Sequence, residues 1–88
     1  MKTEKLYYKD AYIKEFSATV LECTQKENSF SVVLDATAFV PEGGGQSSDT
    51  GFISDARVFD VKEKNGVIYH TVDKPIATDG QVCCQVDF

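Results

Sequence analysis

A chain of 88 residues has room for one domain, 1–88, whose modest core would come from six Phe, four Tyr and many Val. Its net charge of −5 argues against an autonomous nucleic-acid binder, DNA included, because Lys and Arg supply most non-specific affinity for phosphates. The N-terminus has no long apolar run. Neither a signal peptide nor a membrane span is therefore expected, and the predicted location is the cytoplasm.

The first segments in chain order predict a β-hairpin. Residues 5–16 mix aromatics with Lys and Glu, and their spacing does not separate a helical turn from an extended entry. Residues 16–23 and 30–34 are β-branched and partly alternating, so both are expected to be strands. The polar stretch 25–29 joins them as a turn. Alternation in the second strand places Phe30, Val32 and Leu34 on one face.

The second half of the chain has several turn signals between further strands. A strand is expected at 51–56, and the pattern leaves open whether it continues through 57–61. Asn65-Gly66, before the β-branched run 67–72, is typical of a type I′ hairpin turn. After a turn at Asp79-Gly80, residues 81–88 alternate, with Val82, Cys84, Val86 and Phe88 on one side. About six short strands predict a mainly β fold, a small antiparallel barrel or sandwich.

The three cysteines and the histidine are predicted to have structural roles. Three cysteines are an odd number, and the adjacent pair Cys83-Cys84 fits neither a Cys-x-x-Cys metal site nor a disulfide framework. Buried free thiols on strands are expected. His70 is the sole histidine, and we interpret it as a partly buried strand residue with a hydrogen-bond partner, on the same side as Ile68 and Val72. A four-ligand zinc site would lack ligands, so no metal is predicted in this chain.

The segment 35–51 has neither a strand nor a helix period, and it holds three consecutive glycines, Gly43, Gly44 and Gly45. Each glycine costs roughly 0.5–1 kcal/mol of backbone entropy relative to alanine, so a purely structural turn would rarely use three. Backbone without Cβ atoms can approach an oxygen-rich ligand closely. A plain hairpin connection remains the alternative, because no lysine follows the glycines as it would in a P-loop.

Polar side chains flank the glycines on both sides. Thr37, Glu42 and Gln46 are expected to converge near them. Glu42 could act as a general base or as a loop anchor that accepts backbone N–H bonds. We favour the anchor, because a single carboxylate without a partner or metal has little reason for a tuned pKa.

The string Asp-x-Thr-x-Phe-x-Pro-Glu-Gly-Gly-Gly-Gln, followed by Asp-x-Gly, fills 35–51. It closely resembles the signature of the alanyl-tRNA editing family, which comprises the free-standing AlaX proteins and the editing region of alanyl-tRNA synthetases. Residues 6–16, 66–70, 80–82 and 86–88 resemble the opening and the later strands of the same proteins, so the resemblance spans essentially the whole chain. It implies a β-barrel like that of the AlaX proteins. Two positions depart from the family pattern: Val40 stands where tyrosine is usual, and Ser47 where proline is common.

The resemblance also implies a substrate and a set of site residues. Thr37 would look toward the aminoacyl pocket, where its hydroxyl could pair with the side chain of misattached serine and discriminate against alanine. Gly43, Gly44, Gly45 and Gln46 would lie near the same pocket. The expected partner is tRNA(Ala), and the acidic charge requires another region to make the backbone contacts.

The family's zinc centre uses a His-x-x-x-His pair and a later Cys and His, and this sequence contains no His-x-x-x-His. The resemblance therefore implies the N-terminal barrel of a trans-editing hydrolase for mischarged seryl-tRNA(Ala). The zinc would lie in a catalytic domain that is the barrel's expected partner, and the 88 residues alone are predicted to be inactive. Two alternatives remain: a binding module whose glycine loop receives a small anion or a partner protein, and a purely structural barrel.

Overall fold

In the computed structural model, which describes residues 3–10, 12–43 and 45–87, the chain is mainly β. Its elements are β1 Glu4–Lys5, a 3₁₀ turn Leu6–Tyr8, β2 Glu15–Gln25, β3 Phe30–Leu34, β4 Ala36–Thr37, β5 Thr50–Ile53, β6 Ala56–Lys64, β7 Val67–Val72 and β8 Gln81–Asp87. Six antiparallel strands close into a barrel in the order β2-β3-β7-β6-β5-β8, and β8 pairs back onto β2. A short parallel pair, β1 with β4, lies outside this order. The predicted small antiparallel barrel is confirmed.

The barrel interior is filled by alternate residues of its strands. On β3, Val32 and Leu34 are fully buried and Phe30 packs against the core, as the alternation predicts. On β8, Cys84 and Val86 point inward while Cys83, Gln85 and Asp87 are exposed. Among the described residues, Phe39, at the start of the glycine segment, is the largest fully buried side chain. Most of the core is aliphatic and β-branched, which suits the pleated inner face of a small barrel.

One hairpin turn agrees with the prediction from sequence, and another was not predicted. Asn65 and Gly66 have φ of 53° and 82°, which confirms the type I′ turn between β6 and β7. The expected strand over 51–56 is wrong at its end. The chain reverses at Ser54-Asp55, and Ile53 pairs with Ala56 across a hairpin. Ser54 takes φ of 57° there, a conformation without the usual Asn or Gly signal.

The cysteines show the same alternation. All three are free; Cys84 is buried, Cys23 is partly buried and Cys83 is exposed. The expectation of buried thiols is therefore wrong for Cys83, because neighbouring residues on a strand face opposite sides. Burial raises the pKa of the Cys84 thiol from 9.0 to about 12, and the nearby Cys83 and Asp35 act in the same direction. Across the described ranges, no helix has the length and hydropathy to cross a membrane.

Candidate functional site

The glycine segment leaves the barrel at Val40 and returns at Asp49. The Val40 N–H donates to the Asp49 carboxylate over 3.0 Å, and the Asp49 N–H donates to the Val40 carbonyl over 3.0 Å. Since the backbone and a carboxylate both take part, the two arms of the loop are held side by side at its base.

Strand β6 holds the loop through one residue, Val61. The Glu42 N–H donates to the Val61 carbonyl over 3.0 Å, and the Val61 N–H donates to the Ser48 hydroxyl oxygen over 3.0 Å. The Ser48 hydroxyl lies 3.4 Å from the Asp60 carboxylate, to which it can donate. The pairing register of β6 with β7 shifts between Val58 and Asp60, next to this contact. Both arms of the loop are thus tied to the same point of the barrel wall.

The tip of the loop is a tight turn that projects into solvent. The Gln46 N–H donates to the Gly43 carbonyl over 2.9 Å, and the Gly43 N–H donates back to the Gln46 carbonyl over 3.3 Å. Gly45 has φ of 82°, in the left-handed region that favours glycine. Gly43, Gly45 and Gln46 are all exposed. Gly44 lies outside the described residues.

Glu42 is held in place by its backbone. Its N–H bonds to Val61, as described above, whereas its exposed carboxylate lies 3.7 Å from the Lys62 ammonium. Lys62 lies equally close, at 3.7 Å, to Asp60. The expected acceptance of backbone N–H bonds by the Glu42 carboxylate is not seen among the described residues, and its charge instead faces β6.

Thr37 lies inside the barrel. Its side chain is fully buried, and its hydroxyl oxygen accepts the Phe39 N–H over 3.1 Å. The same oxygen is 2.8 Å from Nε2 of His70 on β7. Sequence reasoning expects Thr37 beside Glu42 and Gln46. The structure brings Glu42, Gly43, Gly45 and Gln46 together at the exposed turn and places Thr37 apart from them, in the interior.

His70 determines the direction of this hydrogen bond. It is fully buried, and Nδ1 lies 2.9 Å from the Val32 carbonyl, which can only accept. Burial lowers the pKa of His70 from 6.5 to about 4, and the bond to Val32 opposes that shift only in part, so the ring is neutral at pH 7. With its proton on Nδ1, the ring accepts at Nε2 and Thr37 is the donor. The expected strand histidine with a hydrogen-bond partner is confirmed.

Metal ligands are not gathered in the described part of the chain. It contains no group of three His, Cys, Asp or Glu side chains that could hold an ion. Both nitrogens of His70 are engaged with protein partners. The donor set therefore does not fit a zinc centre, which needs four ligands, or three and a water.

Sequence reasoning misses the residues that hold the loop. Ser48 and Asp49 make the bonds described above, and Thr37 has His70 as its partner across 33 positions of sequence. Asp side chains commonly accept backbone N–H bonds in turns, but the donor to Asp49 is Val40, nine residues earlier, so a local pattern does not identify this bond. No local signal exists for the pairing of Thr37 with His70, since the closed barrel alone brings β4 and β7 together.

Comparison with known proteins identifies the family. The model of the family described as tRNA synthetases class II (A) matches residues 1–88. The chain belongs to the class II (A) tRNA synthetase family. Among individual relatives, an alanine-tRNA ligase of Halobacterium salinarum is 48% identical over 83 residues, which are 83% of this chain and 9% of the ligase.

Two editing proteins of Pyrococcus horikoshii are also similar. The alanyl-tRNA editing protein AlaX-M is 46% identical over 74 residues, covering 83% of this chain and 32% of AlaX-M. AlaX-L is 44% identical over 71 residues, covering 76% of this chain and 18% of AlaX-L. The chain thus spans less than a third of the length of each of these relatives. Within the class II (A) family it is an alanyl-tRNA synthetase/AlaX-type region.

Proposed function

We propose that this barrel is part of an aminoacyl-tRNA editing hydrolase that removes serine from mischarged seryl-tRNA(Ala) in trans. Its glycine-rich loop would form one wall of the substrate pocket. The similarity to proteins named AlaX supports the editing class. The exposure of Gly43, Gly45 and Gln46, on a loop that is tied at its base, supports the role of the loop.

One observation carries this proposal: the barrel leaves the backbone of Gly43 open to solvent, with free space beside it. Gly43 has no positive φ, and a Cβ atom built there meets nothing within 4 Å. Gly51 is the contrasting case, because a Cβ atom there would lie 2.0 Å from the Gln85 carbonyl oxygen. The fold requires Gly51. The open space beside Gly43 leaves the loop backbone accessible to a molecule that approaches from outside.

The residues of the chain would bind and orient the aminoacyl ester. Gln46 presents an amide that can donate and accept at the exposed turn. Thr37 is proposed to read the serine hydroxyl, as an acceptor, because its own proton is directed to His70 and its oxygen keeps a lone pair beyond the Phe39 bond. Such a contact requires the substrate to reach a hydroxyl that the barrel buries.

Hydrolysis would need groups from elsewhere in the protein. The described residues do not fit a zinc site, and the titratable groups at the loop, Glu42 and Asp49, are engaged with Lys62 and with the Val40 N–H. We therefore propose that the 88 residues alone are inactive. The catalytic centre, with zinc, would belong to another domain of the complete protein.

The test measures hydrolysis of seryl-tRNA(Ala) by the complete gene product that carries these residues. Gly43→Leu places a bulky side chain at the exposed turn, and the rate should fall by about tenfold or more if the ester approaches the loop backbone. Gly80→Leu is the matched control, because a Cβ atom at Gly80 also meets nothing within 4 Å and Gly80 lies outside the loop. Equal rates for the two variants, with both folded, would overturn the role of the loop. Absence of hydrolysis by the unmodified protein would overturn the proposed function.

A further inference from the structure

The outer wall of the barrel carries a cleft lined by lysines, which we call the lysine cleft. Lys62 and Lys64 of β6 line it, together with Lys26 from the turn after β2. Glu63 is its acidic lining residue. This cluster is unexpected on a chain whose net charge is −5.

Among the described residues, two of the three lysines that line the lysine cleft have no carboxylate partner. The Glu63 carboxylate is engaged by the Lys5 ammonium at 2.5 Å. Lys62 is shared between Glu42 and Asp60 at 3.7 Å each. In the described part of the chain, neither Lys26 nor Lys64 has a carboxylate within ion-pair distance, and both are exposed. The ammonium groups of Lys26 and Lys64 are therefore exposed and available to a ligand at the cleft.

Hydroxyl groups cover the floor between the lysines. Ser31 of β3 pairs with Thr71 of β7, and Tyr69 of β7 pairs with Lys62 of β6. On β7, His70 lies between Tyr69 and Thr71 and is buried in the core, so Tyr69 and Thr71 stand on the outer face. Ser31 stands there too, because its neighbours Phe30 and Val32 pack in the core. Hydroxyls and ammonium groups are the donors that bind phosphate and ribose oxygens.

The lysine cleft adjoins the glycine loop. Lys62 follows Val61, the residue to which both arms of the loop are tied, and its ammonium lies 3.7 Å from Glu42 at the loop's entry. A strand of nucleic acid whose end lies at the loop can therefore run directly onto the cleft.

We propose that the lysine cleft binds the sugar-phosphate backbone of RNA, with Lys26 and Lys64 neutralising phosphates. The identification of that RNA as the tRNA whose ester reaches the glycine loop rests on the proposed function. Charge complementarity favours a polyanion here, because each neutralised phosphate releases counterions. The cleft would give this acidic chain a local RNA contact of its own, contrary to the expectation that another region makes all of them.

The test compares two double variants of the complete protein with equal loss of charge. Lys26→Gln/Lys64→Gln removes the unpaired lysines of the cleft. Lys9→Gln/Lys74→Gln is the control, since those exposed lysines pair with Glu4 and Asp55 and do not line the cleft. Binding of an unacylated tRNA(Ala) transcript is measured over a salt series. The cleft variant should bind the tRNA on the order of tenfold more weakly. The slope of its log binding constant against log salt concentration should be lower in magnitude by about one to two.

The control should change affinity by less than about twofold, apart from a small general charge effect. Equal weakening in both double variants, or no weakening in either, would overturn the proposal. Unchanged RNA affinity together with altered thermal stability of the cleft variant would show that the cleft packs against protein, which also overturns it.

Hydrolysis of seryl-tRNA(Ala) distinguishes this proposal from the proposed function. At saturating protein the cleft variant should recover the full rate, because it lacks only binding, whereas Gly43→Leu should stay slow. If the cleft variant binds the tRNA with normal affinity while Gly43→Leu hydrolyses the ester slowly, the proposed RNA site at the lysine cleft is overturned. The role of the loop then stands.

Discussion

The hydroxyl oxygen of Thr37 lies 2.8 Å from Nε2 of His70, and this buried contact joins β4 to β7 inside the barrel. Through Nδ1 the ring also bonds to Val32 on β3, so one imidazole connects three strands. Phe39 packs edge-on to the ring at a centroid distance of 5.4 Å. None of the buried side-chain polar atoms described is left without a partner, so losing any member of this network leaves another unsatisfied.

Removing the Thr37 hydroxyl should destabilise the fold. Thr37→Val keeps the volume but leaves His70 Nε2 and the Phe39 N–H without a partner, at a cost of about 1–3 kcal/mol in the free energy of unfolding. Urea unfolding of the variant and of the unmodified protein measures this difference in the free energy of unfolding. Thr71→Val, at a half-buried position of the same barrel's outer face, should cost less than about 0.5 kcal/mol. Equal costs would contradict the described network.

Acid should destabilise this barrel through His70. Its pKa is about 4 in the folded chain and near 6.5 when unfolded, so between these values the unfolded state binds more protons. Stability therefore falls as the pH drops, by about 2 kcal/mol between pH 7 and pH 5 from this group alone.

Because His70 is the sole histidine, its imidazole signal in a proton NMR titration is assigned without ambiguity. The signal of the folded protein should not shift between pH 7.5 and pH 5.5. A midpoint near 6.5 in the folded protein would show that the ring is not buried as described.

Glycine is required at position 51 and not at position 80. A Cβ atom at Gly51 would meet the Gln85 carbonyl oxygen at 2.0 Å and its carbon at 3.0 Å. Gly51→Ala should therefore cost about 3 kcal/mol or prevent folding, since the clash is with backbone of the paired strand β8. Gly80→Ala should stay within about 1 kcal/mol of the unmodified protein. Thermal or urea unfolding of both variants checks the difference.

Thiol reagents should distinguish the adjacent cysteines. Cys83 is exposed, whereas Cys84 is buried and its pKa is raised to about 12, so little thiolate is present at pH 8. In the native protein, a chromogenic disulfide reagent should modify Cys83 at least about tenfold faster than Cys84. Cys83→Ser should remove this reaction, and Cys84→Ala should leave it. The reverse pattern would mean that the register of β8 is shifted by one residue.

The barrel could be predicted from sequence because its signals are local. Alternation in β3 and β8 and the Asn65-Gly66 turn each depend on a few neighbouring residues. The hairpin at Ser54-Asp55 could not be predicted in the same way, because Ser54 adopts a positive φ without Gly or Asn chemistry.

The candidate site depends on contacts that a linear pattern does not contain. The glycine motif marks the loop, yet its attachment to Val61 and the burial of Thr37 against His70 arise only when the sheet closes. The lysine cleft likewise gathers residues from three separate stretches of chain. Net charge averages over the whole surface and so conceals such a cluster.

The measurement that tests the central claim most directly is hydrolysis of seryl-tRNA(Ala) by the complete protein and by the 88 residues alone, each supplied with zinc. We expect the complete protein to release serine and the 88 residues to leave the ester at the buffer rate. Hydrolysis by the 88 residues, or none by the complete protein, would contradict the assignment of this barrel as the non-catalytic, loop-bearing part of an editing enzyme.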